Sequence, residues 1–524
     1  MAIRNVKAKK LSRRSFIKIV GGASLAGVTL NLAGCGKPLT AEKAAGGNGW
    51  MPAQYNIPGS WPTQVRGRIA IDPKNPSIIR DDSKCILCGQ CIEVCEEVQS
   101  VYGFYELPII NDNICVHCGQ CTLWCPSGAI TEVDDTYKVL KAIEDPEKIV
   151  IVQTAPSVRV GLGDEFGMPV GTNVVGKMVS SLRKLGCDVV SDTNWGADLT
   201  IIEEGNECVQ RLINPVAPHP TITSCCPAWV KFCEYFYPEI LPNLSSAKSP
   251  QAMQGAMLKS YYAKEKNIDP SKIYSVSIMP CTAKKYECQR EELNDAGKLE
   301  GKPELRDVDV VLTTRELGRM LKKKGINLAE MPDEKFDDLL GVASGAGIIF
   351  GNTGGVMEAA IRTAYFVITG NQPPEALWNL TPVRGLAGIK EATLDIPGAG
   401  EVKIAVCHGL ANARKIVDRI KSGDCPWHFI EVMACPGGCI SGGGQPRASV
   451  PPSDRVREKR IETLYNMDAK APLRNSHDNP EIKMVYENYL GKPLDHLAHE
   501  LLHTQYESKA DLLKAKKPDA YKLF

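Results

Sequence analysis

The sequence predicts an α/β domain over residues 147–452, preceded by a small α+β module over residues 76–146 and followed by a helical segment over residues 453–524. Three observations predict it. Short apolar runs rich in β-branched residues alternate with helical patterns, and several of these runs end at a cysteine. Two four-cysteine arrays of matched spacing stand ahead of them, and a polar stretch with helical periodicity follows. A chain of 524 residues has room for several domains. Its formal net charge of +1 carries no electrostatic footprint for nucleic acid, and none is expected as a partner. Of the 20 cysteines, many sit in short C-x-x-C arrays, which favours bound metal over a disulfide framework.

The chain opens with a targeting signal over residues 1–35. Ser12-Arg13-Arg14-Ser15-Phe16-Ile17-Lys18 is a twin-arginine pattern, and the apolar run after it is too short and too weak to span a membrane. The twin-arginine machinery exports proteins already folded, which suits a protein that receives its cofactors in the cytoplasm. Leu32-Ala33-Gly34-Cys35 resembles a lipoprotein processing box, so Cys35 is a candidate for a membrane lipid anchor, with an ordinary cleavage site as the alternative. Either way the expected location is the periplasm or the outer face of the cytoplasmic membrane. Residues 36–75, rich in Gly, Ala and Pro, read as a linker.

Cys85, Cys88, Cys91 and Cys95 form a Cys-x2-Cys-x2-Cys-x3-Cys array, and Cys115, Cys118, Cys121 and Cys125 repeat it. This is the pattern of bacterial two-cluster ferredoxins, in which the fourth cysteine of each run ligates the other run's cluster. Cys85, Cys88, Cys91 and Cys125 are therefore assigned to one [4Fe–4S] cluster. Cys115, Cys118, Cys121 and Cys95 are assigned to a second. Zinc sites also use C-x2-C, but the three-cysteine run at this spacing belongs to iron–sulfur chemistry. Glu96 stands where Pro usually follows the array, and His117 reads as a loop residue outside the ligand set.

From residue 147 strands and helices alternate. Strands are expected at 148–153, 187–191, 221–223, 273–279, 308–312, 402–407 and 429–433, and helices at 173–185, 199–212 and 314–324, the last opened by Thr313 or Thr314. The strands at 221–223, 273–279 and 429–433 run into Cys225-Cys226, Cys281 and Cys435. Loops at strand C-termini are where α/β folds build sites. Cys435 and Cys439, four residues apart among glycines, read as two thiolates on one helical turn with backbone free to approach something bulky and inorganic. Cys187, Cys208, Cys233, Cys288, Cys407 and Cys425 are left as buried free thiols.

After residue 453, helices are expected at 453–466 and 479–489, then from His496 through His499 and His503. No His-Glu-x-x-His is present, so the three histidines read as solvated residues of a packing helix.

Thr223-Ser224-Cys225-Cys226-Pro227-Ala228-Trp229, Met279-Pro280-Cys281-Thr282-Ala283-Lys284-Lys285-Tyr286-Glu287 and the stretch from Glu431 to Pro446 resemble the three signature motifs of the [FeFe]-hydrogenases, in that order. The resemblance covers roughly residues 80–495. It implies a catalytic domain of two lobes of mixed β-sheets flanked by helices around an H-cluster, a [4Fe–4S] cubane joined to a two-iron unit with CO, cyanide and azadithiolate ligands. By motif position its thiolates are Cys226, Cys281, Cys435 and Cys439, with Cys439 as the bridge. Lys284 matches the cyanide partner, Ala155, Pro156, Ser157 and Gln251 match further contacts, and Met279 and Met433 match thioethers packed on the iron pair. Cys225 matches the thiol that begins a proton relay through Glu204, Ser245 and Glu207 to Arg211 at the entrance. Glu204 is expected to be buried with a raised pKa. Glu207, one turn further on, shares its helix face.

The resemblance also implies reversible 2 H⁺ + 2 e⁻ ⇌ H₂ chemistry, hydrogenase maturation proteins, and a redox partner such as a cytochrome or ferredoxin-like carrier. An exported location suggests H₂ uptake. The helical tail resembles the small subunit of periplasmic members, fused here as a belt of helices. Ala228 departs from the glycine usual in the first motif, which raises the question of local strain. An H₂ sensor and an iron–sulfur assembly protein are the rival readings. The presence of Cys225, Lys284 and all four ligand cysteines favours the enzyme.

Overall fold

The computed structural model describes residues 67–105, 114–214 and 216–514. The twin-arginine pattern, Cys35 and most of the linker lie outside the described residues, as does the end of the tail. Strands β1 (Ile78–Arg80) and β2 (Ile130–Glu132) pair antiparallel and bracket both cysteine arrays. The arrays repeat one backbone course. Leu87 and His117 take φ of 54° and 60°, and Gly89 and Gly119 follow at 77° and 68°. The short helices Gln90–Glu93 and Gln120–Trp124 begin immediately after these glycines. Left-handed turns at matching offsets wind each array into a compact loop.

Beyond residue 147 come β3 (Ile149–Thr154), β4 (Val189–Asp192), β5 (Thr221–Ile222), β6 (Ile273–Met279), β7 (Val310–Thr313), β8 (Ile389–Ile396), β9 (Gly400–His408) and β10 (Phe429–Met433). They form two four-stranded sheets. The first has the order β4-β3-β6-β7 and is parallel throughout. The second has the order β5-β10-β9-β8 and is mixed only because β8 runs antiparallel to β9. Two mixed sheets were expected, and one is mixed. The sequence reading missed β8, where Lys390, Glu391, Thr393 and Asp395 dilute the apolar signal of an edge strand. Central strands carry near-continuous apolar runs, and Ile151, Val152 and Ile430 are fully buried.

Parallel strands deliver their C-terminal ends to one side of a sheet. In the first sheet, β3 runs into Ala155 and β6 into Pro280 and Cys281. In the second, β5 runs towards Cys225 and Cys226, and β10 into Ala434 and Cys435. The Thr314–Lys323 helix opens on a reciprocal capping box between Thr313 and Glu316. The Thr193–Ile213 helix begins earlier than the expected residue 199, because Asp192 caps it by accepting the Asn194 N–H at 3.0 Å. That carboxylate is held in turn by Arg159 at 2.7 Å.

The C-terminal segment packs on this core. The Asp454–Lys470 helix buries Leu464 against Val160 and Ile440, and Arg460 pairs with Asp164 at 2.6 Å. Asp468 is buried between Arg362 at 2.9 Å and Arg474 at 2.7 Å, while Glu358 pairs with Arg362 and Arg384. The Pro480–Val485 helix passes into a wider π turn, Tyr486–Leu490, and the His496–Leu502 helix follows. The expectation of three solvated histidines fails for one of them. His496 and His499 are exposed, but His503 is buried because Glu203 and Ser246 satisfy both ring nitrogens. Among the described residues no helix is long and apolar enough to cross a membrane.

Asp468 joins the segment to the core by charge, so removing it leaves the buried Arg362 with Glu358 alone and the half-buried Arg474 short of an anion. Asp468→Ala is expected to destabilise the protein by about 3 kcal/mol or more, read as a drop in Tm. An unchanged Tm contradicts this role.

Candidate active site

The ends of β3, β5, β6 and β10 meet around a cavity of about 80 Å³. Its walls include Cys226, Cys281, Cys435 and Cys439, with Lys284 and Cys225 beside them. The local sequence explains how each thiol arrives. Cys226 is the N-cap of the Pro227–Phe236 helix, and the amides of Ala228, Trp229 and Ala434 offset the upward push of burial on its thiol. Cys281 immediately precedes the Ala283–Glu287 turn of helix. Burial pushes its thiol up to about 12, with the Ala283 and Lys284 amides acting against the rise. Backbone N–H groups at a helix start favour a thiolate. Thr223 pins the neighbouring loop by accepting from the Trp229 indole and the Val432 amide, each at 3.1 Å. Ala228 lies inside that helix, where an alanine is well accommodated, and it carries no positive φ.

Cys435 and Cys439 do not share a helical turn, contrary to the sequence reading. Gly437 and Gly438 take φ of 79° and 102°, and only then does a 3₁₀ turn, Cys439–Ser441, begin. A Cβ on Gly438 would lie 2.6 Å from the Thr353 amide nitrogen, so the chain crosses there at a distance only glycine permits. Glycine, not helical periodicity, brings the two thiols to one cavity. The later glycines also differ from expectation. Gly442 lines the cavity, but a Cβ on Gly443 would meet the Cys118 carbonyl oxygen at 2.4 Å, and one on Gly444 would meet Thr313. These two serve backbone-to-protein packing.

That packing joins the second cysteine array to the cavity. The Gly443 carbonyl accepts from Thr122 Oγ1 at 2.7 Å and Arg315 Nη2 at 2.8 Å, and Thr282 Oγ1 donates to the His117 carbonyl at 2.7 Å. His117 is held by Asn75 and Lys231 at its two ring nitrogens, in keeping with a loop role. Cys118 is close enough to Cys281 to feel its charge. A smaller cavity is lined by Cys85, Cys88, Cys91 and Cys125, the crossed set that the spacing predicted. Cys95 neighbours Cys115, and burial pushes its thiol up to about 12.

The residues suit a polynuclear iron–sulfur group. Among the described residues no three His, Cys or carboxylate side chains converge as a single ion requires. Four thiols instead surround a space, as the sulfur ligands of a cubane do. Buried polar atoms at its edge await a partner: Ser157 Oγ and Gln251 Oε1 have none within the protein. Lys284 Nζ donates to Glu287 at 2.8 and 3.0 Å and to the Cys225 carbonyl at 3.2 Å. Burial opposes its charge, but Glu287 outweighs this and raises its pKa. Met279, Met433 and Phe350 complete an apolar wall, and Ala155 and Pro156 close the β3 side. Glu287 stood in the motif without a role, and Phe350 had no sequence signal beyond its nearness to Gly351-Asn352.

Cys225 borders the cavity deep inside the protein, and burial followed by Glu204 pushes its thiol well up. Glu204 is buried with one unpartnered oxygen, and burial together with the Glu207 charge pushes its pKa up to about 8. Glu207 accepts from Ser245 Oγ at 2.6 Å, from Arg211 at 2.6 Å, and from the Ser246 amide and hydroxyl at 3.1 Å. Arg211 also caps the carbonyls of residues 242–244.

Residues 148–443 match the family model described as "Iron only hydrogenase large subunit, C-terminal domain", and residues 454–509 match "Iron hydrogenase small subunit". The chain belongs to the iron-only hydrogenases and is a hydrogenase by family. It is 47% identical over 451 residues to an NADP-reducing hydrogenase subunit of Solidesulfovibrio fructosivorans, covering 82% of this chain and 74% of that one. It is 48% identical to the periplasmic [Fe] hydrogenase large subunit of Nitratidesulfovibrio vulgaris, over 70% of this chain and 85% of that one. A cytosolic Fe-S cluster assembly factor of Xenopus tropicalis is 32% identical over 90% of this chain and 93% of its own length. Among solved structures, an apo [FeFe]-hydrogenase of Chlamydomonas reinhardtii matches with a TM-score of 0.63 at 42% identity, covering 72% of this chain and 99% of that one. Family membership brings H₂ chemistry at an H-cluster and iron–sulfur clusters.

Gly443→Ala tests the junction between array and cavity. A methyl group there meets backbone, which has no rotamer to yield. H₂-driven dye reduction is expected to fall more than H₂/D₂ exchange, which needs no external electrons. Equal losses in the two assays count against the junction as an electron route.

Proposed function

We propose that this chain interconverts H₂ with protons and electrons at an H-cluster that Cys226, Cys281, Cys435 and Cys439 would hold. One observation carries the reading. A single cavity gathers those four thiols with Lys284, and its wall includes Cys225, the inner end of a buried run of proton-exchanging groups. When bound, the cluster supplies redox-active iron at which H₂ forms or splits. Lys284 keeps its charge and orients anionic ligands by charge-assisted hydrogen bonding. Met279, Met433 and Phe350 exclude water.

Cys225 holds a proton at Sγ and exchanges it with Glu204. Ser245 relays between Glu204 and Glu207, since a hydroxyl donates and accepts at once. Arg211 holds Glu207 at the outer end. Cys85, Cys88, Cys91 and Cys125 would hold one [4Fe–4S] cluster and Cys95, Cys115, Cys118 and Cys121 a second, and the two would supply one-electron redox sites. The second set of thiols lies nearer the cavity, through Cys118 and the Gly443 contact.

In this reading, maturation proteins load the chain in the cytoplasm and the twin-arginine machinery then exports it. Ser12 to Lys18 and the periplasmic relative support that location. Cys35 is the candidate lipid anchor. A location outside the cytoplasm favours H₂ uptake, with a cytochrome or ferredoxin-like carrier taking the electrons.

Infrared spectroscopy of the matured protein tests the cofactor. CO and cyanide bands are expected, and their absence favours the assembly-factor reading that the Xenopus relative suggests. Cys225→Ala is expected to keep the bands and lose turnover by about 10²-fold or more. Glu204 supplies a pH test. A carboxyl raised to about 8 is neutral at pH 7 and ionises as pH rises through that value. A protonated-carboxyl infrared band is therefore expected at pH 7. It should fade above pH 8 and be missing in Glu204→Gln. A band that persists unchanged at high pH contradicts the assignment.

A further inference from the structure

The C-terminal segment reaches the outer end of the relay. Thr504 N donates to the Ser246 carbonyl and Lys248 N to the Leu502 carbonyl, each at 2.8 Å, with Ala247 opposite His503 in an antiparallel bridge. This stitching clamps the buried His503 ring between two carboxylate systems. Its Nε2 lies 2.9 Å from Glu203 Oε2, and its Nδ1 lies 2.8 Å from Ser246 Oγ. Ser246 Oγ lies in turn 3.1 Å from Glu207 Oε1. The imidazole is one hydroxyl away from the carboxylate at which the relay ends.

We propose that His503 is a positioning residue that stores a proton at the mouth of this relay and exchanges it with Glu207 through the Ser246 hydroxyl. The inference rests on the relay reading given above. The hydrogen-bond inventory defines the step. Glu203 accepts from the Leu494 amide at 3.0 Å and from the Tyr486 hydroxyl, so it faces donors only, and His503 Nε2 carries its hydrogen towards it. Exchange is then confined to Nδ1. With the ring cationic, Nδ1–H donates to Ser246 Oγ, and Oγ–H donates to Glu207. Transfer breaks Nδ1–H and forms a new Oγ–H, while the old Oγ–H breaks and a Glu207 O–H forms. His503 becomes neutral, Glu207 becomes neutral, and the serine hydrogen now points at Nδ1. No net charge is created.

Ser246, the residue at which the two branches meet, is only partly buried. The other charged or titratable groups facing this cluster are Arg211 on Glu207, the His499 ring stacked 4.8 Å from His503, Tyr486 on Glu203, and Lys248, whose Nζ donates to the Leu501 carbonyl at 2.8 Å. The Glu203–His503–Ser246 order is that of an acid–base triad. Here, however, the hydroxyl is aimed at an anion, which suits proton exchange and repels the developing charge of an acyl substrate.

The test uses the full matured chain and compares His503→Gln, His503→Ala and Ser246→Ala with Cys225→Ala. The CO and cyanide bands are expected to persist in all four. His503→Gln and Ser246→Ala are expected to slow turnover roughly tenfold, less than the 10²-fold or more expected of a group at the reacting centre. Both should change the shape of the pH–rate profile while leaving the KM for H₂ unaltered. Added imidazole should restore part of the rate in His503→Ala. A pH–rate profile in His503→Gln superimposable on the parent, with Cys225→Ala inactive, overturns this inference alone. Near-normal turnover in Cys225→Ala overturns the relay and this inference with it.

Discussion

Burying thiols in one cavity is costly unless something there stabilises their charged form, and this constraint organises the structure. Burial pushes the thiols of Cys226, Cys281, Cys435 and Cys439 up in pKa, so as bare thiols they would be neutral and poor ligands. Iron binding is the natural compensation. The protein prepares for it with amides at two helix starts and with Lys284, whose charge survives burial through Glu287. The two sheets then have a clear task. Each presents strand C-termini, and these together carry four thiols to one place that a single loop would not hold open.

The same economy of space explains the glycines. Gly438 lets the chain cross beside Thr353, and Gly443 lets it lie against Cys118. Gly119 is pressed from the other side, where a Cβ would meet Thr282 Oγ1 at 2.2 Å. The backbone of the second array is thus held between two of the three signature motifs. The missing methyl groups let the backbone of the second array lie directly against the third motif.

Much of this was legible in the sequence, for reasons that differ by element. β6 and β10 were read to the residue, because buried parallel strands are short unbroken apolar runs ending in turn residues. The grouping of Cys85, Cys88, Cys91 and Cys125 around one cavity was legible because the spacing within each array is local. β8 was not, since an edge strand alternates with solvent and carries charge. The 435–439 turn was misread because an i, i+4 spacing suggests a helix, while Gly437 and Gly438 have left-handed freedom that spacing does not encode. His503 was misread for a related reason. Its environment comes from Glu203 and Ser246, hundreds of residues away in sequence, and a helix-periodicity argument sees only its own segment.

The two relay glutamates illustrate how long-range context divides identical chemistry. Glu204 and Glu207 sit one turn apart on the Thr193–Ile213 helix, yet their surroundings oppose each other. Glu207 is saturated with donors from Arg211, Ser245 and Ser246, whereas Glu204 has a buried oxygen with no partner. The Glu207 charge itself helps to raise Glu204. Burial is the larger cause of that rise and the Glu207 charge adds to it, so neutralising Glu207 would ease the repulsion but not the burial. In the proposed relay, a proton entering at the outer carboxyl would favour release from the inner one towards Cys225, and a residue that sets the charge on Glu207 would act on the whole path. This is the position that the C-terminal segment gives to His503.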